Sequence, residues 1–141
     1  MYNIKYILYI NKILMKSIVK ESEYQTVFTK VVHHLWWWIY KIPDIWNVRK
    51  PFDCIVAKTD TSVIKAVELK VAPTYKTNVK RLLKEHQVSN LSKLSPYSFV
   101  LCYYKKEKAS SLFKVNSNWD LEEVICLKKL VEVCDYLLWI D

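Results

Sequence analysis

The chain has 141 residues, enough for one domain with a real hydrophobic core, and carries a formal net charge of +8. That excess favours an anionic partner, of which nucleic acid is the commonest, without distinguishing DNA, RNA or an acidic membrane surface. No glycine occurs, which argues against the glycine-rich loops that bring backbone against phosphates, so no nucleotide cofactor is expected.

The apolar run YILYI near the start is broken by Asn11 and Lys12, too soon for a secretory leader or a membrane span, and a cytoplasmic protein with no membrane partner is expected. Residues 1–16 read as an uncertain extension, with Met15 as a second plausible start, and residues 17–141 as a single domain. Tyr24, Val27, Phe28, Val31, Val32 and Leu35 recur at helical spacing, which predicts an amphipathic helix over about 22–34. Trp36, Trp37, Trp38, Ile39 and Tyr40 follow as a strand-like aromatic run ending at Pro43. Three consecutive tryptophans cannot all face one core, so at least one packs on the other side or offers a stacking surface for an unpaired base.

Between Pro43 and Pro51 a loop holds Asp44, Asn47, Arg49 and Lys50. Two runs rich in β-formers, FDCIVA and SVIKAVELKV, are separated by the polar Lys58, Thr59, Asp60 and Thr61, the pattern of a β-hairpin. Charges interrupt its apolar alternation: Asp53 opens the first strand, and Glu68 and Lys70 share one face near the end of the second. If the strands pair so that Asp53 opposes them, two carboxylates, the Leu69 carbonyl and one ammonium converge on a small volume. That set suits a magnesium ion with a lysine beside it.

Past Pro73, a helix is predicted over about 76–94. Its buried row is Val79, Leu83, Gln87 and Leu91, so an amide replaces an apolar residue in mid-stripe. Such an amide needs partners or costs about 1–3 kcal/mol; an active-site carboxylate, a metal-bound water, a phosphate or backbone carbonyls would supply them. Lys76, Lys80, Arg81 and Lys84 make the opposite face basic, either as a solvated face or, together with Lys50, as a track for phosphates. Tyr97–Tyr104 and Ser111–Val115 read as two paired strands across the turn KKEKAS. A last helix is predicted from Asn118–Asp120, with Asp120 and Glu123 spaced as a capping box and Leu121, Val124, Ile125, Val131 and Leu138 as its stripe. The expected fold is α/β, a mixed sheet of about five strands flanked by helices. Cys54, Cys102, Cys126 and Cys134 form no CxxC pair and read as reduced core thiols.

Pro51-Phe52-Asp53, fourteen residues, then Glu68-Leu69-Lys70, followed by a helix bearing His86-Gln87 and Leu91, resembles the PD-(D/E)XK, or restriction-endonuclease-like, nuclease superfamily. The HQxxxL helix after the ExK strand, and Lys41-Ile42-Pro43-Asp44 before the PFD, are most similar to its RecU-type Holliday junction resolvases and their phage-borne relatives. The likeness covers roughly residues 20–115. It implies a restriction-endonuclease-like core and Mg²⁺-dependent hydrolysis of DNA phosphodiesters, with Mn²⁺ as a substitute ion. Asp53, Glu68 and the Leu69 carbonyl would hold the metal, with Lys70 and Gln87 catalytic. Glu23 would either supply the helix glutamate that such nucleases carry at the metal site or interact with the helix dipole. Asp44 is a rival ligand to Asp53, and Glu21 a less favoured helix candidate. The resolvase branch implies branched DNA, a homodimer and a bacterial or phage-infected host. A nicking or repair endonuclease of the same fold, a noncatalytic basic DNA-binding module and an aromatic interaction protein are the alternatives.

Overall fold

The structure is a computed structural model that describes Lys5 and residues 18–44, 49–58 and 63–140. The expectations for residues 1–16, and the turn between the two hairpin strands, lie outside the described residues. A helix, α1 (Glu21–His34), leads into β1 (Trp37–Lys41), β2 (Cys54–Lys58) and β3 (Ile64–Ala72). A short 3₁₀ turn (Val79–Leu82) and α2 (Glu85–Lys93) come next, followed by β4 (Ser98–Tyr104), β5 (Ala109–Val115), β6 (Leu121–Leu127) and α3 (Leu130–Trp139). The strands lie in one six-stranded sheet in strict sequence order. Every neighbouring pair is antiparallel except β3 and β4, which run parallel across the connection that carries α2. The fold is therefore α/β with a mixed sheet, in the three-layer arrangement that buries both sheet faces.

The side-chain alternation of β3 decides what each face buries. Val67 and Leu69 point into a core with Tyr24, Phe28, Val31 and Val32 of α1 and with Val133, Cys134 and Leu137 of α3. Ala66 and Ala72 point the other way, into a second core with Val79, Leu83, Val88 and Leu91. A buried ammonium ties the first layer together: Lys65 Nζ donates to the carbonyls of Leu137 and Ile140 at the end of α3, where the exposed helix carbonyls attract a cation.

Three expectations are corrected. The helix predicted over 76–94 is divided, because Leu83 and Lys84 are extended (φ −84°, ψ 138° and φ −75°, ψ 152°), yet the predicted row Val79, Leu83, Gln87 and Leu91 is buried throughout. Residues 121–127 are a strand, not the start of the last helix, which raises the sheet from about five strands to six. Asp120 caps nothing: its carboxylate pairs with Lys80 at 3.1 Å, while Glu123 accepts hydroxyl hydrogens from Ser111 and Tyr75. Ile125 pairs with Leu112 and Glu123 with Phe113, and Val124 between them is the extra residue of a bulge. The four cysteines are free thiols.

Lacking glycine, the chain places ordinary residues in the left-handed region. Trp36 (φ 64°) closes α1, Lys108 (φ 52°) turns β4 into β5 and Trp119 (φ 69°) precedes β6. A bulky side chain there strains the backbone.

Candidate active site

The site forms where the β2–β3 ladder ends. The last paired residues are Cys54 and Val67, so Asp53 falls opposite Glu68 just beyond the pairing. The Asp53 side chain takes over from the missing backbone, and its Oδ2 accepts the Leu69 N–H at 2.8 Å. In an extended strand the N–H and C=O of one residue face the same edge. The Leu69 carbonyl therefore also faces this opening, away from β4.

Glu68 is 1% exposed. Its Oε1 accepts from Gln87 Nε2 at 3.2 Å, and the same amide's oxygen accepts the Lys84 N–H at 3.0 Å, bracing the first turn of α2. Of the partners expected for the buried amide, the site carboxylate is the one it meets, and a backbone N–H rather than a carbonyl takes its oxygen. Lys70 Nζ stands 3.7 Å from Glu68 Oε2 and 3.7 Å from Glu21 Oε1, inside ion-pair range but too far for hydrogen bonds. No donor reaches the buried Glu68 Oε2; when protonated, the Glu68 carboxyl can itself donate to the Asp53 carboxylate beside it. Burial raises the Glu68 pKa from its ordinary 4.5 to about 9, assisted by a hydrogen bond and charge repulsion from Asp53 and by the Glu21 charge, and opposed by Lys70.

Lys50 anchors the other carboxylate. Its Nζ lies 3.3 Å from Asp53 Oδ1 and 3.1 Å from Asp44 Oδ1. Burial disfavours the charged ammonium, but the hydrogen bonds and charges of Asp44 and Asp53 outweigh it and raise the Lys50 pKa. Lys50 is thus held between these two carboxylates. Asp44, the rival ligand, is an exposed carboxylate joined to Asp53 only through Lys50. Lys76, Lys80, Arg81 and Lys84 are exposed along the 3₁₀ turn and the start of α2. Of these, Lys80 is paired with Asp120.

Of the two α1 glutamates, both exposed, Glu21 is the one that stands 3.7 Å from Lys70 Nζ. At about 100° per residue, Glu21 falls on the α1 wheel between Phe28 and Val32, within the core-facing arc. Glu23 falls beyond Val27, outside that arc, and is exposed. This wheel position is legible in the sequence.

The donors fit a hard divalent cation. Asp53 and Glu68 oppose each other, one buried carboxylate oxygen lacks a partner, the Leu69 carbonyl faces the same opening, and all offer oxygen. Among the described residues no three or more His, Cys, Asp or Glu side chains converge on one point. An ion here would take few protein ligands and keep several waters, the habit of magnesium. No protein-family model, curated protein or solved structure matches the chain. Among the described residues no helix is long and apolar enough to cross a membrane.

Proposed function

We propose that the protein is a metal-dependent endodeoxyribonuclease with a restriction-endonuclease-like core, hydrolysing DNA phosphodiester bonds at the open end of the β2–β3 ladder. The observation that carries the reading is the buried Glu68 Oε2, unpartnered beside Asp53, with the Lys70 ammonium next to it. Asp53, Glu68 and the Leu69 carbonyl would hold Mg²⁺ or Mn²⁺. Bound there, the ion supplies Lewis-acid polarisation of the phosphate and a more acidic water. Lys70 Nζ orients the attacking water and meets the negative charge that grows on the phosphoryl oxygens. Gln87 fixes the Glu68 carboxylate through Oε1 and leaves Oε2 free for the ion. Lys50 holds Asp53 in place, and Glu21 keeps Lys70 over the opening. The exposed Lys76, Arg81 and Lys84 follow the DNA backbone, which makes binding salt-dependent.

Within this class the HQxxxL helix favours a homodimeric Holliday junction resolvase, with a nicking or repair endonuclease next. A second reading, a noncatalytic DNA-binding module, draws on the internal neutralisation of the acidic pair by Lys50 and Lys70. The test is cleavage of labelled four-way junction, linear duplex and single-stranded DNA, in Mg²⁺ or EDTA, by the wild type and Asp53→Asn. Paired magnesium-dependent nicks confined to the junction support the resolvase branch, and cuts in the other substrates move the protein to the general nucleases. Binding without cleavage, indifferent to magnesium and to Asp53→Asn, overturns the enzyme in favour of the binding module.

A further inference from the structure

Side-chain alternation divides β1 sharply. Trp37 and Ile39 point into the core under α1 and α3, so Trp38 and Tyr40 point to the opposite face. On that face the 3₁₀ turn and α2 pack over β3, β4 and β5, and both rings stand about half exposed (49% each). They are not splayed apart: their planes are 4° from parallel, with ring centroids 5.9 Å apart. The result is a short aromatic stack beside Ile55, Ala57 and Ile64, the last 56% exposed.

The register connects this stack to the acidic centre. Tyr40 pairs with Ile55, and Ile55 with Ala66. The next row on the same face runs from Ile42 toward Glu68, with the Ile42 N–H donated to the Asp53 carbonyl at 2.9 Å between them. With side chains repeating every second residue and strands about 4.8 Å apart, Tyr40 lies roughly 12 Å from Glu68 on the same sheet face. A strand whose phosphate reached Glu68 would pass its neighbouring bases across Trp38 and Tyr40.

We infer that Trp38 and Tyr40 form a stacking platform for unpaired bases flanking the phosphate that enters the acidic centre, so that the substrate is DNA that offers unpaired bases there, a single-stranded segment or a branch point whose central pairs are open. The position of that phosphate rests on the nuclease reading; the platform's preference for unpaired bases is independent of it. Aromatic faces bind any base through its π-surface, and the chain's charge of +8 attracts the backbone. The same charge opposes a second copy of this chain as the occupant. Bases held inside a duplex keep their faces stacked on one another and have none to offer the platform.

The test measures binding in EDTA, where cleavage plays no part, using fluorescence anisotropy of a labelled oligothymidylate and of a blunt duplex of equal length. Trp38→Ala/Tyr40→Ala weakens oligothymidylate binding about tenfold or more and leaves duplex binding unchanged. Trp38→Phe/Tyr40→Phe, which keeps the ring faces, retains most of the wild-type affinity. Equal loss on both DNAs, or no loss on oligothymidylate, overturns the platform. So does a wild-type dimer that becomes monomeric in the alanine variant by sedimentation, since a second copy would then occupy the face. If the wild type shows the platform-dependent preference but cuts no DNA in Mg²⁺, the platform stands and the nuclease reading falls.

Discussion

Replacing Glu68 by glutamine should make the metal-free protein more stable above neutral pH, although it removes the residue on which the proposed chemistry depends. Burial and the facing Asp53 lift the Glu68 pKa from 4.5 to about 9. Between those values the folded chain holds a proton that the unfolded chain has released. The stabilisation is therefore fully present below about pH 4.5 and is lost as pH rises toward 9, at about 1.4 kcal/mol per pH unit. From pH 6 to pH 8 this single group costs the wild type about 2–3 kcal/mol. The substituted glutamine cannot ionise, yet its amide oxygen can still accept from Gln87. Urea unfolding of both proteins in EDTA at pH 6 and pH 8 isolates the effect of this coupled cluster, because groups away from Glu68, Asp53, Lys70 and Glu21 titrate alike in the two. The wild type should lose about 2–3 kcal/mol more than Glu68→Gln over this interval, and Mg²⁺ at pH 8 should restore stability to the wild type alone. Identical pH slopes would show that Glu68 is neither desolvated nor coupled to Asp53, and the account of the site would fail.

Lys70→Ala should abolish DNA cleavage while leaving the circular dichroism spectrum and thermal melt close to wild type; retained cleavage removes Lys70 from the chemistry. Glu21→Gln should lower the cleavage rate several-fold, whereas Glu23→Gln should leave it within about twofold, since only Glu21 shares the site with Lys70; equal effects in a nicking assay would contradict the placement of α1. Trp36→Gly should stabilise the protein by about 1 kcal/mol in urea unfolding, because the left-handed backbone costs an L-residue about 1–2 kcal/mol, partly offset by the flexibility glycine adds to the unfolded chain. Trp36 is exposed (84%), so little packing is lost, and a destabilised variant would locate the strain elsewhere.

The hairpin and its charges were legible because the physics there is local. Asp53, Glu68 and Lys70 interrupt an otherwise apolar alternation, and an interruption on a buried strand needs a partner. Gln87 stood out for the same reason. Strand β6 was misread because Asp120 and Glu123 imitate a capping box, and because the bulge in its pairing with β5 spoils the two-residue period that would have marked a strand. The break at Leu83–Lys84 carries no glycine or proline and left no sequence mark. Turn signals are muted throughout, since this chain assigns its left-handed positions to tryptophan and lysine. The pairing of Lys50 was not legible, because a basic residue grouped with a basic track looks solvent-facing until tertiary structure brings Asp44 and Asp53 to it.

The strict sequence order of the strands also shapes how the protein folds. Each antiparallel pair joins consecutive strands, so most pairing closes short loops and proceeds quickly; the parallel β3–β4 contact alone must wait for a long excursion through α2. The two facing carboxylates lie before that excursion, on one hairpin, and would repel each other as soon as it zipped. Their counterions lie on the same segment: Lys50 is three residues before Asp53, and Lys70 two after Glu68. The hairpin thus carries a lysine for each of its facing carboxylates from the moment it forms, able to register correctly before the rest of the sheet arrives to bury it.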